Sequence, residues 1–372
     1  MKLVEAIAFY EGKLRKHINI LPPWFVSLIY SNSRNFFIRQ LISTNFDKKN
    51  LPEEYRIKIW DLEFNCPLFN AAGMFKDGEG YSLCAKMGAG AFLAGTTTFN
   101  ARLGNKKKCI KHPFMPYANS LSSSNWMGLP NLSHALVAKK ISQIEKIKYC
   151  NIGASVAADP EADNAVDGIL TGLSMYEEAG VDFIELNESC PNVPHHSSEI
   201  ESNCNQVPQN LIDRLEIISK NFIKKQKKHI PVIVKFSNDT QLIQIEALID
   251  VLIDLDFDGV NFGNTSINYE HYLKKIDPKD VKLFNYFTQN FGGGLSGDLL
   301  KENSLELCKE ATNYINKKTL HKEFHCIRTG GINDKKDILI SQENGILLNE
   351  WFAGFFENFA KYGFNIYQEF FN

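Results

Sequence analysis

The chain has 372 residues, with 41 Lys and Arg against 43 Asp and Glu, a formal net charge of −2, and 44% hydrophobic and 23% charged residues. That is ordinary globular composition with length for a large core, and the balanced charge excludes a broad basic surface for nucleic acid. No apolar run reaches the roughly 18 residues that cross a bilayer. Met1–Ile18 carries charges throughout, unlike a secretory leader.

In chain order, Lys2–Ile18 has helical periodicity with mixed charge, broken by Leu21-Pro22-Pro23. Proline suits the start of a second helix, which runs from Pro23 to Ile42 and carries Trp24, Phe25, Phe36 and Phe37 with Arg34 and Arg39 between them. Two readings stand for residues 1–45: helices packed on the main domain, or an amphipathic extension lying on a membrane surface. Short β-rich runs follow, at Pro67–Ala72, Ala91–Thr97, Asn151–Val156, Phe183–Glu188, Val232–Phe236, Gly259–Asn264, His325–Thr329 and Gly345–Trp351. Helical patterns such as Gly168–Ala179, Asn210–Lys225 and Gln241–Leu255 fall between most of them. Strand–helix alternation indicates a parallel sheet, and eight rounds favour a closed (β/α)8 barrel over residues 55–372. Two long excursions, 98–149 and 265–300, are expected to be functional. The lysine runs 106–108, 224–225 and 227–228 read as solvated faces.

Eight cysteines, at 66, 84, 109, 150, 190, 204, 308 and 326, form no CxxC pair. Zinc ribbons and cysteine-ligated iron–sulfur clusters are therefore not expected, and free thiols in a reducing cytoplasm are. His195-His196 has no evident third ligand, so no metal site is assigned.

A barrel's chemistry gathers at the C-terminal ends of its strands. The ends as read from the sequence are Asn70-Ala71-Ala72-Gly73, Gly95-Thr96-Thr97, Asn151-Ile152-Gly153, Asn187 through Cys190, Lys235, Asn264-Thr265, Gly330-Gly331 and Trp351-Phe352-Ala353. Amides suit a planar ligand rich in carbonyl and N–H groups, glycines let backbone N–H groups approach a phosphate, and a lysine can stabilise developing negative charge. In FIELNESCPNVPHH (183–196), a strand ends on a cysteine flanked by amides and prolines. An inert buried thiol does not need that setting.

Seven pieces in order resemble the dihydroorotate dehydrogenase family: NAAGMFKDGEG (70–80), NWMGLPN (125–131), ELNESCPN (185–192), VIVKFSND (232–239), GVNFGNTS (259–266), GGGLSG (292–297) and RTGGI (328–332). The resemblance implies an FMN enzyme that oxidises dihydroorotate to orotate in pyrimidine biosynthesis. It makes Cys190 the base that takes the C5 proton while hydride leaves C6 for the flavin. A thiolate is the reactive form, so activity should rise toward alkaline pH. By the same carry-over Lys76, Asn125, Asn187, Asn192, Asn264 and Thr265 bind substrate. Ala72, Gly73, Lys76, Thr96, Asn151, Asn187, Lys235, Gly297, Gly330, Gly331, Phe352 and Ala353 hold FMN.

The class implied is mixed. The N-terminal extension and Lys76 resemble the membrane-associated, quinone-reducing class, peripheral on the cytoplasmic side of a membrane. Cys190 and Val193-Pro194 resemble the soluble class that uses fumarate or a partner subunit. Quinone is the leading expectation, with the extension forming its entrance. Glu188, His195-His196, Gly263 and Gln342-Glu343-Asn344 depart from the family's pattern. They leave as alternatives the soluble fumarate-reducing enzyme, a related flavin barrel acting on another pyrimidine, and a flavin-binding protein without turnover.

Overall fold

The computed structural model describes residues 1–162, 164–188 and 207–371. Eight strands form one sheet: β1 (Leu68–Asn70), β2 (Ala91–Thr97), β3 (Asn151–Ala157), β4 (Phe183–Asn187), β5 (Val232–Ser237), β6 (Gly259–Asn264), β7 (His325–Thr329) and β8 (Leu348–Trp351). Their order is β1-β8-β7-β6-β5-β4-β3-β2, and every paired neighbour is parallel. The ring closes between β1 and β2 by looser means. Asn70 Nδ2 donates to Leu93 O at 2.8 Å, and Leu93 N–H donates to Asn70 Oδ1 at 3.2 Å. The Asn70 amide thus stands in for a backbone partner, and a lone bridge joins Phe75 to Ala94. This is the expected (β/α)8 barrel. The first strand starts one residue later than expected and the eighth three, the latter because Gly345, at φ +75°, still closes the preceding helix through Gln342 O.

Strand alternation sorts the side chains into layers. Facing out, Ile184, Leu186, Val232, Val234 and Val260 join the core beneath the helices. Facing in, Phe69, Leu93, Phe183, Ile233, Ile327 and Leu348 fill the lower barrel, which the hairpin Ile57–Ile59 and Leu62–Phe64 plugs with Ile59, Trp60 and Phe64. Gly153 is small where it must be: a Cβ there would stand 2.3 Å from the Phe183 ring. Two residues further along their strands, the inward positions turn polar: Ser155, Glu185, Lys235, Asn261, Thr329 and Glu350, all buried.

The two excursions meet above this layer. Strands Phe114–Tyr117, Ser122–Asn125 and Gly294–Gly297 pair antiparallel into a small sheet beside the barrel mouth. A second apolar cluster, with Tyr117, Phe284, Phe287 and Leu295, sits beneath it.

The N-terminal helices α1 (Leu3–Leu14) and α2 (Pro23–Ser43) pack on the barrel and this small sheet. Proline opens α2, as its missing N–H permits. Val4 and Ala8 are buried on α1, and Val26 and Leu41 on α2; full burial of the two larger α2 side chains contributes ~1.5–3 kcal/mol each. Ser31 Oγ of α2 accepts a hydrogen bond from Phe114 N–H at 3.0 Å. Leu3, Tyr10, Leu14, Ile20, Trp24 and Phe36 of this N-terminal segment remain exposed. Among the described residues no helix is long and apolar enough to cross a membrane.

Candidate active site

The strand ends and both excursions enclose a cavity at the barrel mouth. It brings together Ala72, Gly73, Lys76, Thr96, Asn125, Asn187, Lys235, Asn264, Thr265, Gly297, Gly330, Gly331, Phe352 and Ala353, each expected there from the sequence. Cys190 and Asn192 lie outside the described residues.

One expectation is corrected. Asn151 is the first residue of β3, paired with Ala91 at the start of β2, and its Nδ2 donates to Glu63 O at 2.9 Å. It therefore stands at the closed bottom of the barrel. The motif was read at the wrong end of its strand, whose true C-terminal end is Val156-Ala157.

A chain of amides and hydroxyls lines the floor. Asn264 Nδ2 donates to Asn187 Oδ1 at 2.9 Å, and Asn187 Nδ2 donates to Thr96 Oγ1 at 3.2 Å. Thr96 Oγ1 lies 2.9 Å from Ser155 Oγ, which donates to Glu185 Oε1 at 3.1 Å. Each amide is fixed by its neighbour, so the polar floor is preorganised. Lys76 Nζ lies 3.4 Å from Met127 Sδ, at the mouth's rim.

Beneath the floor, Lys235 Nζ is 2.8 Å from Glu350 Oε2 and 3.0 Å from Glu185 Oε2. Burial alone would lower the lysine's pKa, but Glu185 and Glu350 outweigh it and hold the ammonium protonated. Neither glutamate was expected from the sequence, although both occupy inward positions that alternation reveals. Met127, Leu129, Ser296 and Thr329 also line the cavity. Each lay inside a quoted motif without being singled out. Gly263 now has a reason: a Cβ there would meet Thr329 Cβ at 2.1 Å and Asn261 Oδ1 at 2.6 Å. Thr329 fills the space that a larger residue at 263 would need.

At the other end the cavity offers a cradle for an anion. Gly297, Gly330 and Gly331 adopt φ of +103°, +122° and +72°. Beside them the helix Ala353–Tyr362 begins, with its unpaired N–H groups and positive dipole end at the cavity wall. Gly73, at φ +91°, has nothing within 4 Å of where a Cβ would stand, so its missing side chain is cavity space. Thr265 Oγ1, though buried, finds no hydrogen-bond partner among the described residues. A cationic group, a planar amide platform, open backbone and a phosphate cradle suit a flavin nucleotide.

Barrel and mouth thus define an oxidoreductase-type barrel built to hold a flat nucleotide cofactor above a polar floor. A model of the family described as dihydroorotate dehydrogenase matches residues 55–357, and the chain belongs to that family. Membership brings the family's flavin dependence and its reaction, the oxidation of dihydroorotate in pyrimidine biosynthesis. A protein of Trichodesmium erythraeum (strain IMS101) named dihydroorotate dehydrogenase (quinone) is 29% identical over 277 residues, 72% of this chain and 68% of that protein. One of the same name from Shewanella sp. (strain W3-18-1) is 27% identical over 302 residues, 80% of this chain and 81% of that protein. The crystal structure of DHODH in complex with ferulenol from Eimeria tenella shares the fold, with TM-score 0.73 and 19% identity over 91% of this chain and 88% of that one.

Proposed function

We propose that this chain oxidises dihydroorotate to orotate with FMN as its bound flavin, and passes the electrons to a quinone at the cytoplasmic face of a membrane. FMN, when bound, supplies the hydride acceptor. Lys235, Thr96 and Asn187 hold its ring from below, Ala72, Gly73 and Lys76 border it, and Gly297, Gly330, Gly331 and the N–H groups at Phe352-Ala353 take its phosphate. Lys76 meets the substrate carboxylate. Asn125, Asn187, Asn192, Asn264 and Thr265 bind the substrate's ring amides, and the Cys190 thiolate accepts the C5 proton. The barrel, 55–372, is the catalytic unit, and residues 1–45 are the membrane and quinone-access unit.

The observation that carries the quinone reading is a second cavity of about 340 Å³ between the N-terminal helices and the barrel. Ile7, Ile29, Phe36, Phe37 and Phe356 give it an apolar lining, as a prenyl tail requires. It shares Phe352 and Ala353 with the first cavity. Arg34 of this lining donates from Nη2 to Gly73 O at 2.7 Å, so one side chain touches both cavities. Burial pulls its pKa down to about 10, which leaves it charged at neutral pH. The apolar side chains exposed on α1 and α2 then lie against lipid.

The test compares acceptors. With full-length protein on liposomes, a prenylated quinone should support turnover and fumarate should not. Deleting residues 1–45 should release the protein from liposomes and lower turnover with quinone more than with a soluble dye. Turnover with fumarate would assign the soluble class instead, and equal loss with both acceptors would count against a quinone entrance in the extension.

A further inference from the structure

The layer beneath the cavity holds more carboxylate than one lysine can balance. Glu185 and Glu350 both lie within 3.0 Å of Lys235 Nζ, and the three side chains are exposed by 2, 1 and 5%. Fully ionised, the cluster would carry one unit of negative charge almost wholly shielded from water. The groups that complete it are neutral: Ser155 donates to Glu185 Oε1, Asn261 Nδ2 to Glu185 Oε2 at 3.2 Å, and Thr329 Oγ1 to Glu350 Oε2 at 2.9 Å. The charged groups that act on Glu185 are Glu350 and Lys235. Two carboxylates sharing one cation in so dry a place do not both ionise.

We propose that Glu185 and Glu350 hold one proton between them, and that this proton sets the charge presented to the cofactor at the barrel mouth. With it in place, Lys235 pairs with one carboxylate and the layer is neutral. Without it the layer is negative and opposes any negative charge added above it. Burial first, and then Glu350, push the Glu185 carboxyl up to about 8 against the pull of Lys235, so the proton stays through neutral pH and leaves in mild alkali. Both glutamates are positioning residues that act through Lys235. The proton's existence is independent of which cofactor binds; its effect on a flavin rests on the reading above.

Infrared difference spectroscopy of the purified protein in H2O and D2O reads the proton directly, through the carbonyl stretch of a buried carboxylic acid. The wild type should show the band at neutral pH and lose it above about pH 8. Glu185→Gln should lack it. Glu350→Gln should lack it too, because Glu185 then has Lys235 to itself and ionises. A band that survives in both variants, or that wild type never shows, overturns the shared proton. Wild-type titration alone decides this if either variant fails to fold. In flavin-loaded protein, the midpoint potential plotted against pH should bend near pH 8 in wild type and run without that bend in Glu185→Gln. A bend unchanged by the substitution overturns the link to the cofactor while leaving the infrared result to judge the proton.

Discussion

Removing the Arg214 side chain should cost more than any other single truncation on the surface of its helix. Arg214 clasps Glu188 through Nε at 2.8 Å and Nη2 at 2.7 Å, both on Oε2. The Glu188 side chain is 2% exposed and that of Arg214 is 14%. The other carboxylate oxygen, Oε1, has no partner among the described residues. Arg214→Ala therefore strands a buried carboxylate, a change that costs about 3–5 kcal/mol where a buried pair loses one member. Unfolding entropy near 2.1 cal/mol/K per residue gives roughly 0.8 kcal/mol/K for this chain, so Tm should fall by about 4–6 °C. Replacing both partners by apolar groups, Glu188→Leu with Arg214→Met, removes the stranded charge and should recover most of the loss. Differential scanning calorimetry on the three variants measures this. A fall below about 1 °C for Arg214→Ala, or a double variant less stable than the single, would refute the reasoning.

Gly73→Val should abolish flavin retention, read as the absorbance ratio of the purified protein, because its Cβ enters cavity space; the positive φ adds ~1–2 kcal/mol of strain, so thermal stability should drop only modestly. The raised Glu185 pKa has a consequence for stability. The folded protein holds a proton that the unfolded chain has released above its ordinary pKa of 4.5, so stability falls as pH rises from there to about 8 and is level beyond. Urea unfolding at a series of pH values should show that decline in wild type and a smaller one in Glu185→Gln. Cys190→Ser should remove the rise of reductive half-reaction rate toward alkaline pH that a thiol base gives, measured by stopped flow; a profile identical to wild type would place the base elsewhere.

Most of the barrel was legible because parallel strands buried on both faces read as short apolar runs, and six of the eight begin where the pattern begins. The site was legible where motifs sit on strand ends, as at Asn187, Lys235 and Asn264. Asn151 was misplaced although it opens the run Asn151–Val156: the family's motif was carried onto the first residue of the strand, and the parallel pairing with Ala91 puts that residue at the barrel's bottom. Glu185 and Glu350 escaped notice for a different reason. A charged residue within an apolar run looks like an interruption, and only the alternation shared by several strands shows that these glutamates meet the same lysine. The extension's helices were readable, but their cavity was not, since it arises between them and Phe352, Ala353 and Phe356 far along the chain.

The most direct test of the account is anaerobic. Purified protein, loaded with FMN, is mixed with dihydroorotate while the visible flavin band is followed. The account predicts rapid bleaching, with the colour restored on adding a prenylated quinone. A flavin band that stays intact with dihydroorotate would contradict it, and would turn attention to another pyrimidine or to a flavin-binding protein without turnover.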